Sequence, residues 1–189
     1  GVLGGCDPGG EPVVTETPSA SASASAVVTP TPSASASATG TDWVIEQLPK
    51  DALYPDLGGA KKTAEFFVEL YGTMLQTGDT KLWDALSGDE CGYCADASQS
   101  ISEHYLAGET VEGGGVKVDP TRSRASIDDD GFAFVGLVAT QEASTSFTGG
   151  TATAQPSGGG DFGAAIKLAW AHGFWIVEGV QIVDPSEVR

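Results

Sequence analysis

The sequence predicts an α+β domain: three helices packed on one face of a curved antiparallel sheet of about four strands that follows them in the chain. Three observations predict it. All four Trp, all four Tyr and all seven Phe lie after Thr41, so the material for a core is confined to residues 42–189. Between Ala60 and Thr77 apolar side chains recur at helical spacing. Beyond Gly108 the period changes to two, the spacing of strands. About 150 residues is the size of one domain, long enough to bury a core without metals or many disulfides.

The first segment, residues 1–10, contains Leu3-Gly4-Gly5-Cys6. It resembles the lipobox of a bacterial lipoprotein signal, in which the peptidase cuts before a cysteine that receives diacylglycerol. The resemblance implies lipidation of Cys6 and a cell-membrane anchor on the extracellular face, with the charged and apolar parts of the signal expected upstream of Gly1. Residues 11–41 are Ser, Ala, Thr, Pro and Val almost throughout, with Pro18-Ser-Ala-Ser-Ala-Ser-Ala nearly repeated from Pro32. Such a stretch has too little apolar surface to offset the entropy of ordering its backbone, so a disordered stalk is expected. Ser and Thr beside Pro also suit O-glycosylation.

Within residues 42–189 the elements follow in order. Ala64, Phe67, Val68, Tyr71 and Leu75 form one stripe of a helix over 60–77, widened by Phe66, Leu70 and Met74. Gly78 ends it as a left-handed cap. Asp79 fits an N-cap for a short helix through Leu82, Trp83, Ala85 and Leu86. A third helix is expected over 95–107, stopped by Gly108. Strands are expected at 115–127, 132–140, 162–170 and 174–183. Phe162, Ala164, Ile166, Leu168 and Trp170 share a face of the third, and Gly173 turns the chain into the fourth. In that last strand Phe174, Ile176, Val180 and Ile182 are read on one face. Residues 141–160, rich in Gly, Ser and Thr, read as a long mobile hairpin loop.

This order, with Ala60 to Phe67, Thr77-Gly78-Asp79-Thr80, Cys91-Gly92-Tyr93-Cys94, Tyr105 and Gly113-Gly114, resembles an actinobacterial family of lipoprotein domains of unknown function. That family is similar to the nuclear transport factor two-like, or cystatin-like, superfamily. The resemblance covers about Leu48 to Val183 and implies a cone-shaped cavity between helices and sheet. It implies no particular reaction, since that superfamily holds isomerases and hydratases beside binding modules.

Few residues offer chemistry. Cys91 and Cys94, on an extracytoplasmic domain, are expected to form a disulfide that staples the second helix to the third. The functional alternative is a thiol-disulfide oxidoreductase, in which the positive end of a helix lowers the pKa of the first thiol. His104 reads as a partly buried, hydrogen-bonded side chain on the third helix and His172 as part of a turn. Neither has a partner at zinc spacing, so no metal and no cofactor is expected. Asp128-Asp129-Asp130-Gly131 lacks the later ligands of a calcium loop and reads as a hairpin turn. If the cone holds a ligand, Tyr71, Trp83, Tyr105, Trp170 and Trp175 are the side chains expected to line it, the alternative being ordinary core packing. An acid-base enzyme on this fold would need a buried carboxylate, and Glu178 within an apolar strand is the one speculative catalytic residue. An edge-strand charge that deters aggregation explains it equally.

Charge narrows the partners. The chain carries a formal −17, and all but Asp7, Glu11 and Glu16 of its acids lie beyond Thr41 with every base. Such a surface repels phosphate backbones and anionic headgroups, which excludes nucleic acid. The acid excess serves solubility or a cationic partner. The sequence therefore predicts a lipid-anchored surface lipoprotein whose domain binds an envelope protein or a small apolar ligand without catalysis.

Overall fold

A computed structural model describes residues 38–152 and 157–188. The expected lipidation site Cys6 and residues 11–37 of the expected stalk lie outside the described residues. Among the described residues four helices come first: α1 (Ala38–Gln47), α2 (Leu57–Thr77), α3 (Lys81–Leu86) and α4 (Gly92–Leu106), with a 3-10 turn at Lys50–Leu53 between α1 and α2. Seven strands follow: β1 (Glu109–Gly113), β2 (Val116–Ile127), β3 (Ala133–Gln141), β4 (Ser144–Thr148), β5 (Thr151–Ala152), β6 (Gly160–Ala171) and β7 (Phe174–Val183). They form two antiparallel sheets, β2-β3-β6-β7 and β1-β4-β5. Among the described residues no helix is long and apolar enough to cross a membrane.

Helix α2 is the spine because its sequence carries both of its stops. Asp56 caps the start, its side chain accepting the Gly59 N–H at 2.8 Å. Gly78 closes the end in the left-handed region, φ 71°, with its N–H on the Met74 carbonyl. The apolar stripe of Ala60, Ala64, Phe67 and Met74 is fully buried. It meets the inner face of the larger sheet, where Val135, Leu137, Ile166, Leu168 and Val177 complete the core. Burying each such aliphatic side chain contributes roughly 1.5–3 kcal/mol. Glu69 fixes the helix to the sheet by accepting the Val118 N–H at 3.1 Å. Glu65, although buried, is matched by Lys62 at 2.7 Å and by the Ser123 hydroxyl.

Turn chemistry places the strands. Asp128 accepts the N–H groups of Asp130 and Phe132, and Gly131 takes φ 86°, so the acidic run is the β2–β3 hairpin turn. His172 and Gly173 both have positive φ and close the β6–β7 hairpin. Pro120 sits where the β2–β3 register shifts between Asp119 and Ser123, as a residue without an N–H requires.

The structure departs from the sequence expectation at four places. A helix, α1, begins at Ala38, inside the stretch read as stalk, and buries Val44, with Leu48 buried just beyond its end. The stretch 141–160 is not one open loop: it holds β4, which pairs with β1, and β5, which pairs with β4, and the three make the second sheet. Ser-Thr-Ser-Phe-Thr in β4 and Thr-Ala in β5 have too few apolar residues to show a period of two. In β7 the register slips by one, with Lys167 facing Gly179 and Leu168 facing Val177, leaving Glu178 as a bulge. The bulge returns Val180 and Ile182 to the face of Trp175 and Val177, not that of Phe174 and Ile176. Lastly, His104 is 54% exposed at its side chain and pairs with Glu109, so it is a surface residue and not a partly buried one.

Close approach makes Gly72 a test of this packing. A Cβ there would lie 2.6 Å from the Val116 backbone nitrogen. Helix propensity alone would make Gly72→Ala stabilising by about 1 kcal/mol. The clash with backbone outweighs that, and a net loss of about 1–3 kcal/mol is expected by urea denaturation. A raised midpoint would contradict the contact.

Candidate functional site

A cleft of about 340 Å³ opens between the helices and one end of the larger sheet. Its helical wall is Phe67, Val68 and Tyr71 of α2, Trp83 of α3 and Tyr93 of α4. Its sheet wall is Phe162 and Ala164 of β6 with Val180 and Ile182 of β7, the two residues the bulge redirects. Gln141, the glycines 158–160 and Asp161 form the rim. The inner lining is thus aromatic and aliphatic, and the polar groups collect at one edge.

Three rings are locked together. Phe67 and Trp83 stack with centroids 3.9 Å apart, and Tyr71 is tilted against Trp83 at 5.9 Å. The Trp83 indole N–H donates to the Cys94 carbonyl at 2.9 Å, which ties α3 to the first turn of α4. Ser87 holds the end of the six-residue α3 by donating its hydroxyl to the Trp83 carbonyl at 2.7 Å.

Cys91 and Cys94 stand at disulfide distance, S–S 1.96 Å, and both are buried, at 2% and 1% exposure. The Cys91 sulfur also accepts the Cys94 N–H at the start of α4. A bridge closing so short a loop is worth about 2 kcal/mol through chain entropy. Its second consequence is positional: Tyr93 lies between the two cysteines, and the Cys94 carbonyl is the Trp83 acceptor. One four-residue loop therefore places two side chains of the helical wall.

The electrostatics are one-sided. Among the described lining residues none is Lys, Arg or His, and Asp161 is the only acid. Asp161 is oriented by the Thr140 hydroxyl, which donates to it at 2.6 Å. Burial raises the Tyr71 phenol above its ordinary value. Burial also raises that of Tyr93, and the nearby Tyr71 adds to the effect. Neither hydroxyl has a hydrogen-bond partner among the described residues. Both are neutral groups at physiological pH, available to donate or accept within the cleft.

Of the side chains the sequence offered as cavity lining, Tyr71 and Trp83 are brought together there, and the other three are not. Tyr105 packs over Gly78 and donates to the Leu75 carbonyl at 3.1 Å. Trp170 and Trp175 meet edge to face at 5.4 Å, and the Trp175 indole donates to the Tyr54 carbonyl. Glu178 does not line the cleft either; its carboxylate lies over Gly88 at the bulge. The residues missed are Phe67, Tyr93 and Phe162. Tyr93, an aromatic between two cysteines on a polar stretch, was the available signal.

A model described as a family of unknown function, DUF6318, matches residues 47–181. No curated protein matches the chain. Among solved structures, the crystal structure of the intermembrane space region of chloroplast protein ARC6 is similar at TM-score 0.45 and 9% identity, over 66% of this chain and 96% of that one. The 1.8 Å structure of Aln2 from a Streptomyces species is similar at TM-score 0.42 and 16% identity, over 75% of this chain and 96% of that one.

Two outcomes test the site's construction. Trp83→Phe removes the indole N–H and part of the stack, and a loss of about 2 kcal/mol in denaturant is expected; an unchanged midpoint would contradict the Cys94 contact. The raised phenols of Tyr71 and Tyr93 contribute stability that is complete below about pH 10, where unfolded tyrosine ionises. That contribution is lost as pH rises through the higher folded values. Tyr71→Phe is therefore expected to flatten the fall in stability above about pH 10; an identical alkaline slope would contradict burial of the phenol.

Proposed function

The chain belongs to the family of unknown function DUF6318, and from that premise we propose that it is a lipid-anchored surface lipoprotein whose domain is a non-catalytic binding module. The observation that carries the binding reading is the cleft. Its volume falls in the range of about 300–1,000 Å³ usual for small-molecule sites, and it combines apolar walls with a few polar groups at one edge. Two tyrosine hydroxyls without a partner among the described residues are what a ligand would engage. In this reading the helices and the larger sheet are the walls of a nuclear transport factor two-like cone, and β4 and β5 are additions to it.

The rival chemistries are less well served by the geometry. Thiol-disulfide exchange needs a sulfur that an attacking thiolate can reach, and both cysteines are buried. Acid-base catalysis in the cleft needs a carboxylate among its inner lining, and Glu178 is elsewhere.

The anchor rests on Leu3-Gly4-Gly5-Cys6 and on the Ser, Ala, Thr and Pro composition of residues 11–37 as a spacer ahead of α1. It places the domain on the extracellular face of the cell membrane. In cells that make the chain behind a lipoprotein signal, Cys6→Ala is expected to move it from the detergent phase to the aqueous phase of a detergent partition. Continued retention in detergent would contradict the anchor. For the cleft, a library of small ring-bearing compounds screened by thermal shift is expected to yield ligands that raise Tm for the native chain and not for Tyr93→Ala. Ligands indifferent to Tyr93→Ala would place binding elsewhere.

A further inference from the structure

We infer that the ligand of this cleft is a small organic cation, a tertiary or quaternary ammonium group on an apolar body. The inference rests on the binding reading above and gives it a chemical class. Tyr71, Tyr93 and Phe162 give the cleft its accessible aromatic surface, and Phe67 and Trp83, buried and stacked on each other, back it. Ring faces carry negative quadrupolar potential and attract cations, most strongly where water is displaced. An ammonium carrying methyl groups is weakly hydrated, so moving it against apolar walls costs less than moving a protonated primary amine.

The polar groups point the same way. Asp161 is the only charged side chain at the rim among the described residues, and the Thr140 hydroxyl fixes its orientation at 2.6 Å. With no Lys, Arg or His among the described lining residues, an anionic ligand would meet no counter-charge. The formal −17 of the chain adds a field that draws cations toward the rim and repels anions. Tyr71 and Tyr93 keep neutral phenols, so they offer ring faces and lone pairs to a cation without a fixed charge. An uncharged apolar ligand would use the walls and gain nothing from the charge of Asp161.

The test is a matched pair of probes on the full chain, choline and its uncharged isostere 3,3-dimethylbutan-1-ol, followed by titration of amide and indole N–H resonances. Choline is expected to shift the Trp83 indole and the rim glycines 158–160 and to bind about tenfold more tightly than the alcohol. Asp161→Asn is expected to weaken choline at least about threefold and to leave the alcohol unchanged; the exposed position of Asp161 makes the variant safe for folding. Added salt is expected to weaken choline alone. Equal binding of the two probes at the same resonances would overturn the cation class and leave the cleft as a binding site. No shift at those resonances with either probe, or with the ring-bearing compounds of the screen, would overturn both readings.

Discussion

The hydrogen bond from the Trp83 indole to the Cys94 carbonyl is the contact on which the rest of the cleft depends. Helix α3 has only six residues, too few to be stable as a helix by itself. It persists because Leu86 is fully buried and Trp83 is sandwiched between Phe67 of α2 and the first turn of α4. The stack supplies burial, the hydrogen bond supplies direction, and the Cys91–Cys94 bridge fixes the acceptor. Without that fixed acceptor the indole has apolar surroundings on offer but no single orientation. The same loop carries Tyr93, so order at the bridge is transmitted to both of these aromatic side chains.

The opposite wall depends on a strand irregularity. Were β7 regular, Val180 and Ile182 would fall on the opposite face with Phe174 and Ile176, and the cleft would lose the β7 part of its sheet side. The unpaired Glu178 restores them to the inner face, and its carboxylate lies over Gly88 in the α3–α4 connection. That connection also lies along β7, with the Gly88 N–H on the Val177 carbonyl at 2.8 Å. A charged residue in an apolar strand is therefore explained by backbone register and edge covering, with no catalytic role required.

Legibility in the sequence follows how local each determinant is. The stripe of α2, its Gly78 stop, the Asp128–Gly131 and His172–Gly173 turns and the core face of β6 rest on spacing and backbone conformation within a few residues. All of them can be read along the chain. Strands β4 and β5 escape because Ser-Thr-Ser-Phe-Thr and Thr-Ala carry no apolar period; their place is set by the pairing of β4 with β1, about 35 residues earlier, and of β5 with β4. The bulge escapes because Phe174 to Ile182 is apolar on both faces, so alternation cannot fix the parity. At the site, Tyr71 and Trp83 were legible as amphipathic aromatics. Tyr105, Trp170 and Trp175 look the same in sequence and pack elsewhere, because only tertiary contact decides which ring faces a cavity. Tyr93 was hidden by its cysteines, which draw attention to sulfur chemistry where the structure uses them to hold a neighbour.

If the Cys91–Cys94 loop sets the position of Trp83, hydrogen exchange of the tryptophan indole N–H groups measures it directly, comparing the native chain with the Cys91→Ser/Cys94→Ser double variant. Trp83 and Trp175 both donate to backbone carbonyls, at 2.9 Å each, but only the acceptor of Trp83 lies in the bridged loop. Faster exchange at Trp83 is predicted in the variant, with Trp175 still protected. Equal protection of Trp83 in both proteins would contradict that dependence, and would return the bridge to the role of a local staple without influence on the cleft.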